Sequence, residues 1–145
     1  MAGEISGIRA GIETRLKTID GLQVYDHEPD ATTVTPAASI RLDSMTQNET
    51  FNGASTPGDR TYRWIITVRL AGAIPQEQWQ ALDDYLAPTG TKSILAAING
   101  DTTLGSTVDW AAMTPGESIE MSDRESRADS WFYVMEFPLE TYVSG

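Results

Sequence analysis

Two runs with a period of two limit what this chain can fold into. From Tyr62 to Leu70 every second residue is apolar or aromatic, and the residues between include two arginines. From Trp131 to Leu139 every second residue is again large and apolar. This period is typical of a β-strand with one face in a core. Both runs are therefore predicted to be strands. Pro138, which has no amide hydrogen, is expected at an edge or a strand end.

Shorter patterns predict further strands. Residues 22–25 are a brief, mostly apolar run, and residues 38–42 alternate between apolar and polar. Residues 118–122 follow a Pro-Gly turn signal and are another strand candidate. Residues 107–113 fit either an irregular segment or a weak strand, and the charged residues 123–129 are predicted to be a turn.

Three segments have the spacing of a helix. In residues 4–19, four isoleucines and a leucine recur three or four residues apart, and Gly21 is a natural stop. Residues 75–86 begin with proline, which suits the first turn of a helix. Ser93 is placed to open a third, short helix over residues 94–98.

These elements fit one domain. A chain of 145 residues has the length of a single domain, and neither a repeat nor a shift in composition divides it. Strands that follow one another closely pair mostly antiparallel, with helices on one face. We therefore predict an α+β fold over residues 1–145, in which a mostly antiparallel sheet packs against an N-terminal helix and two middle helices.

A long polar segment interrupts the pattern at residues 44–60. Its large apolar residues are Met45 and Phe51, and it lies between two predicted strands. Connections of this length are often functional, and in an assembly protein such a loop can become ordered against a neighbour. We expect a loop here. Deletion of residues 46–58 is expected to leave the domain folded but to prevent assembly.

The composition excludes several kinds of chemistry. The chain has no cysteine, so it has no disulfide, thiolate metal site or cysteine nucleophile. Its formal net charge is −11, the opposite of what duplex-binding proteins carry. No basic segment followed by an apolar run opens the sequence, and no apolar run approaches the length of a membrane span. We expect no signal peptide, no membrane contact and synthesis in the cytoplasm.

The motifs predict no catalytic, cofactor or metal site. His27 is the single histidine and lies in a polar stretch typical of a surface histidine, although composition leaves a Ser-His-Asp triad open. Residues 100–107 have the glycine spacing of a phosphate loop, but Ser106 replaces the required lysine, so a turn is predicted. Residues 117–129 hold five carboxylates and two arginines without the spacing of a calcium loop, which indicates a solvated charged turn.

Three arginines, Arg41, Arg63 and Arg69, lie on the polar sides of predicted strands. They fit two interpretations. They are either surface charges that keep the chain soluble, or members of a subunit interface, where the planar guanidinium pairs well with carboxylates. The aromatic residues of the two long runs are predicted to be core, because a surface that stacks on bases would need positive charge beside it.

The middle of the chain resembles a known family. Residues 75–86 are followed by the sequences APTGTKSILAAI at 87–98 and GDTTLGSTV at 100–108. This stretch resembles the tail terminator proteins of long-tailed bacteriophages, notably those of actinobacterial hosts. The order of predicted elements is similar to that family over almost the whole chain.

The resemblance implies a structural protein of the virion tail or neck, made in the bacterial host, with no catalytic residue and no cofactor. Such subunits form a homo-oligomeric ring, expected to be a hexamer, that caps the tail tube and stops its polymerisation. The implied partners are further copies of the chain, the major tail tube protein, and the head–tail connector or a head-completion protein. DNA would pass through the pore without specific binding.

Polarity and position suggest which residues make these contacts. We expect the subunit or tube interface to include Met45, Glu49, Phe51 and Arg60, together with Arg41, Arg63 and Arg69. An acidic wall would repel phosphate, so that DNA slides past it. Two alternatives stay open: another neck component, such as a head-completion, stopper or adaptor protein, and a small-molecule-binding or enzymatic α+β domain.

Overall fold

The chain has the α+β fold that the sequence predicts, with six strands in one mixed, mostly antiparallel sheet and helices packed on one face. The computed structural model describes residues 3–25, 36–47, 59–71, 83–113, 118–127 and 130–144. His27, Glu49 and Phe51 lie outside these ranges. So does most of the helix predicted over residues 75–86, of which residues 83–86 are described and are helical.

Helix α1 spans Glu4–Leu16 and carries the predicted apolar stripe. The α-helix ends before the predicted boundary, because the amides of Thr18 and Ile19 bond to carbonyls three residues back and tighten the last turn. Gly21 follows with a φ of +82°, a conformation that glycine adopts without strain. The fully buried residues of the stripe are Ile8, Ile12 and Leu16.

The two long alternating runs are neighbours in the sheet, where Trp64 lies opposite Leu139. The sheet order is β1-β2-β3-β6-β4, and β5 pairs with the same edge of β6 as β4 does, nearer the start of β6. β1 is parallel to β2, and the other pairs are antiparallel. The strands are β1 (Gln23–Tyr25), β2 (Ala37–Gln47), β3 (Arg60–Ala71), β4 (Trp110–Met113), β5 (Glu120–Arg127) and β6 (Ser130–Val143).

Helix α2 spans Ile94–Asn99 and begins where the sequence predicts. The hydroxyl of Ser93 accepts a hydrogen bond from the amide of Ala96 at 3.0 Å, as an N-cap does. Arg15 of α1 fastens the other end of α2, because its Nε donates to the carbonyl of Ala97 at 2.8 Å. A cation at the carboxyl end of a helix also suits the helix dipole.

The turn predicted over residues 100–107 is confirmed, and the carboxylate of Asp101 accepts hydrogen bonds from within it. Asp101 accepts hydrogen bonds from the hydroxyl of Thr103 at 2.7 Å, from the Thr103 amide at 3.1 Å and from the amide of Gly105 at 2.9 Å. These bonds, that of the hydroxyl above all, hold the pKa of Asp101 below its ordinary value. Two amides that a phosphate loop would offer to a ligand are thus used inside the turn.

The core lies between the helices and one face of the sheet, which we call the inner face. Its largest fully buried side chains are Trp64, Tyr85 and Phe137. The indole of Trp64 donates to the hydroxyl of Thr141 at 3.0 Å, so the only polar atom of that ring has a partner. The guanidinium of Arg9 lies 5.5 Å from the centre of the same ring, within the range of a cation–π contact.

Two segments predicted to be loop or turn are strands. Residues 44–47 continue β2 and pair with residues 60–63 of β3, and residues 123–127 belong to β5, which pairs with β6 around a register shift. Both segments are mostly polar, so no apolar alternation indicated a strand, and backbone pairing with a neighbour determines their structure instead. The loop and turn predictions are wrong at these residues. Residues 48–58 and 128–129 lie outside the described ranges.

Pro138 lies inside β6 rather than at its end. The carbonyl of Tyr142 accepts a hydrogen bond from the amide of Asp109, which lies just before β4. This carbonyl therefore faces the side of β6 on which β4 lies. Backbone groups four residues apart in a strand face the same edge, so the missing donor of Pro138 faces it too. Along that edge, β5 pairing stops at Glu136 and β4 pairing begins at Leu139. Because β6 lies between β3 and the strands β4 and β5, the predictions of an edge and of a strand end are both wrong, and Pro138 fits where pairing along one side of β6 is interrupted.

Candidate functional site

The face of the sheet opposite the helices, the outer face, carries a charge cluster of Arg41, Asp43, Arg63 and Glu136. Arg41 lies 3.3 Å from Asp43 and 3.7 Å from Glu136, and the Nε of Arg63 lies 3.4 Å from Asp43. These residues come from β2, β3 and β6, three consecutive strands of the sheet. The register shift between Leu42 and Ser44 adds Asp43 to β2, beside both arginines.

The exposed ion pairs of the charge cluster can be replaced by ion pairs with another molecule at little cost in stability. The side chain of Arg41 is 52% exposed and that of Arg63 is 36% exposed. Ion pairs with this exposure contribute about 0–1 kcal/mol each, so the fold does not depend on them. Groups of both signs at a surface can instead pair with complementary charges on a neighbour. Of the predicted interface arginines, Arg41 and Arg63 are at least one-third exposed.

Arg69 lies elsewhere, although it is on the same side of β3 as Arg63. It is 5% exposed, and its Nη1 donates to the buried hydroxyl of Ser39 at 3.1 Å. The outer face is buried at this end of the sheet, as Ala37 and Thr67 also are. The alternation therefore predicts the side of the strand correctly but is wrong about exposure, and Arg69 is an interior residue.

Arg60 is held by its own chain. Its Nε and Nη2 each donate to the carboxylate of Glu4 at 2.8 Å, and the hydroxyl of Tyr62 donates to the same carboxylate. The hydrogen bond from Arg60 holds the pKa of Glu4 below its ordinary value. Burial, followed by the contact with Glu4, raises the pKa of Tyr62. Arg60 thus ties the start of β3 to the first turn of α1, a role that its sequence position did not indicate.

The second component of the site is the outer edge of β2, which we define as the backbone of residues 40–47. β1 pairs with β2 only at residues 37–39, and within the described ranges nothing pairs with the outer edge beyond them. From Arg41 onward every residue of β2 except Leu42 is exposed. Met45 is 49% exposed, the most of any large hydrophobic residue that the structure describes. An open edge of this length can accept another strand.

Backbone geometry shows which amides face this edge. The carbonyl of Pro36 accepts a hydrogen bond from β1, so the even-numbered residues that follow, as far as Leu42, face outward. Beyond the register shift the parity changes. Leu42 and Met45 pair with Trp64 and Tyr62, which are two residues apart on β3 and face the same edge of it. The amide of Met45 therefore also points outward.

An exposed aromatic pair lies near the far margin of the sheet. Trp110 of β4 stacks on Tyr142 of β6, with ring centroids 5.7 Å apart and planes 10° apart. Trp110 is 39% exposed. The hydroxyl of Tyr142 is hydrogen-bonded to Asp59, which raises the pKa of Tyr142. Sequence reasoning did not single out this pair, because Trp110 lies in a segment whose strand character was weak.

The other candidates from the sequence form no site in the part of the chain that is described. No group of three metal-ligating side chains comes together there, and no helix there is long and apolar enough to cross a membrane. Of the acidic segment at 117–129, Glu117 and Asp129 lie outside the described ranges. The backbone of Glu120, Asp123 and Glu125 belongs to β5.

The site therefore consists of the charge cluster, the outer edge of β2 with Met45, and the loop-side end of the β2–β3 hairpin at Arg60. Glu49 and Phe51, also predicted to take part, lie in the undescribed connection between these strands. A scan against protein-family models and a search of curated proteins found no match to this chain.

Proposed function

We propose that the protein is a tail terminator, a subunit of a homo-oligomeric ring in the neck of a long-tailed bacteriophage. The ring caps the tail tube, stops its polymerisation and joins it to the head connector or a head-completion protein. Such a subunit acts by binding its neighbours, so the proposal depends on which surfaces of the chain are available for contact.

The observation that carries the proposal is the arm, which we define as the loop-side end of the β2–β3 hairpin, residues 44–47 of β2 with residues 60–63 of β3. The arm is a paired hairpin rather than a loop, and its β2 side is exposed throughout. The hydrogen bonds of Arg60 and Tyr62 to Glu4 hold the loop-side end of the arm against α1. Because an ordered hairpin loses little conformational entropy on binding, it is well suited to contact a neighbouring subunit or the tail tube.

The charge of the chain supports the same proposal. A ring of six copies would carry six times the formal charge of −11. A negatively charged wall repels phosphate and disfavours adhesion of DNA, which suits a pore that a genome must traverse. The stretch at 87–108 that resembles tail terminators contains α2 and the Asp101 turn, which pack against α1 on the inner face.

Electron microscopy of phage made without this protein tests the proposal. A terminator is needed to stop tube growth, so tails made without it are expected to be irregular and too long, and the wild-type gene should restore a single length. Tails of normal length that fail to join heads would instead identify another neck component. Normal virions would contradict a neck role altogether.

A shortened arm provides a test at the level of residues. The backbone groups of Thr46 and Thr61 face each other, so replacing residues 48–59 with Asn-Gly leaves a four-residue loop, from Gln47 to Arg60, that this pair closes. This change keeps Thr46 and Gln47, which deletion of 46–58 would remove from β2. The variant is expected to fold and to fail in tail completion. Thr102→Ala, at an exposed position of the Asp101 turn, is the control. Complete virions from the shortened variant would show that the connection makes no essential contact.

A further inference from the structure

We propose that copies of the chain join head to tail by strand addition, in which the outer edge of β2 in one copy pairs antiparallel with β5 of the next. The sheet of each subunit would then continue into the sheet of its neighbour. This inference rests on the proposed ring and specifies the contact that builds it.

Strand direction is the first argument. β3 runs opposite to β2, β6 opposite to β3, and β5 opposite to β6. β5 is therefore antiparallel to β2 within one subunit. A neighbouring copy in a similar orientation presents β5 to the outer edge of β2 as an antiparallel partner, which continues the alternation already present in the sheet. Antiparallel pairing is also the slightly more stable arrangement per residue.

The lengths of the two edges match. The outer edge of β2 extends over residues 40–47, and β5 extends over Glu120–Arg127, so each offers eight residues. β5 is paired with β6 on one side, and the structure describes no partner for its other side. Each strand also contains one register shift, between Leu42 and Ser44 in β2 and between Ser122 and Glu125 in β5.

Symmetry favours this pairing over contact between two β2 edges. A β2–β2 contact joins identical surfaces, so it closes at two copies, whereas a ring of more than two copies needs a contact between different surfaces. β2 and β5 lie towards opposite sides of the sheet, with β3 and β6 between them. The charge cluster lies beside the β2 edge, where exposed Arg41 can meet carboxylates of the added subunit.

A proline at Met45 tests the role of the backbone. Its amide faces outward, so Met45→Pro removes a donor from the outer edge while leaving the bonds between β2 and β3. Met45→Ala removes the side chain and keeps the amide, and is the matched control. We expect the alanine variant to form rings. The proline variant should keep the wild-type circular dichroism spectrum. Light scattering should show it still monomeric at about ten times the concentration at which the wild type forms rings.

Cysteine cross-linking tests which strands meet, in a chain that has no cysteine of its own. Met45→Cys is combined in turn with Met121→Cys, Ser122→Cys or Ser126→Cys, because disulfides form between facing residues of neighbouring strands. At least one combination is expected to give a ladder of covalent oligomers under oxidation, whereas each single variant should stay monomeric on a denaturing gel. This test does not depend on how well the proline variant folds.

The outcomes separate this inference from the proposed ring. If the wild type forms rings and Met45→Pro forms them as well, strand addition is overturned and the proposed ring stands. The same holds if no cysteine pair gives a ladder. Covalent dimers from Met45→Cys alone would show that β2 pairs with itself, which overturns the head-to-tail contact. A wild-type chain that stays monomeric both alone and on purified tail tubes would overturn the ring and the strand addition together.

Discussion

The guanidinium of Arg60 donates two hydrogen bonds of 2.8 Å to the carboxylate of Glu4, and these bonds link the first turn of α1 to the first residue of β3. Glu4→Gln should weaken this link. The side chain of Glu4 is 35% exposed, so water screens the pair and we expect a loss of about 1 kcal/mol in the free energy of unfolding. Urea denaturation at neutral pH measures it.

The same pair predicts a pH dependence. The hydrogen bond from Arg60 lowers the pKa of Glu4 below its ordinary value of 4.5. The stabilisation is therefore fully present above that value and is lost as the pH falls through the lowered pKa. Glu4→Gln should show less loss of stability in acid than wild type. Glu13→Gln, which removes an exposed ion pair with Lys17, is the control and should cost about 0.2–0.5 kcal/mol. Equal acid sensitivity of wild type and Glu4→Gln would contradict the prediction.

Two glycines of α1 should respond oppositely to alanine. A Cβ on Gly11 would lie 2.7 Å from the carbonyl oxygen of Leu104, whereas a Cβ on Gly7 would have only Thr107 Cγ2 near it, at 4.0 Å. Alanine favours a helix over glycine by about 1 kcal/mol. Gly7→Ala should therefore raise the melting temperature, and Gly11→Ala should lower it by forcing α1 away from the turn. Similar shifts for both variants would show that α1 and the turn are not in close contact.

The buried hydrogen bond between Trp64 and Thr141 gives a further prediction. Thr141→Val keeps the shape of the side chain but leaves the indole N–H without its acceptor, which should cost about 1–3 kcal/mol of unfolding free energy. Thr141→Ser retains the hydroxyl and should lose less. If valine were tolerated as well as serine, the hydroxyl would not be the partner that matters. Equilibrium unfolding followed by tryptophan fluorescence compares the two.

Arg63 and Arg69 lie on the same side of β3, yet their removal should have different effects. Arg69→Ala leaves a gap and removes the donor to the buried Ser39 hydroxyl, so we expect a loss of about 2 kcal/mol. Arg63→Ala should change the stability of the monomer by less than about 0.5 kcal/mol, because its ion pair is exposed. Chemical denaturation and light scattering together would show Arg69→Ala acting on folding and Arg63→Ala on assembly. A loss of stability for Arg63→Ala as large as that for Arg69→Ala would contradict this division.

Sequence patterns were informative where one side of a segment differs from the other. The stripe of α1 and the alternation from Tyr62 to Leu70 predicted elements that the structure confirms, because burial selects apolar residues at the period of the element. The pattern failed at residues 44–47 and 123–127, which are strands without a clear apolar side. It also could not show that Arg69 is buried, since burial of the outer face depends on what packs there.

By itself, the sequence determined the fold class, the inner faces of α1, β3 and β6, and the cap that opens α2 at Ser93. Only the tertiary structure decided the strand order, the extension of β2 past Leu42, and the intramolecular role of Arg60. The physical reason is that side-chain periodicity records which side of a segment is buried. Backbone amides and carbonyls are alike at almost every residue, so which strands pair, and which edge is left open, depends on how the whole chain packs.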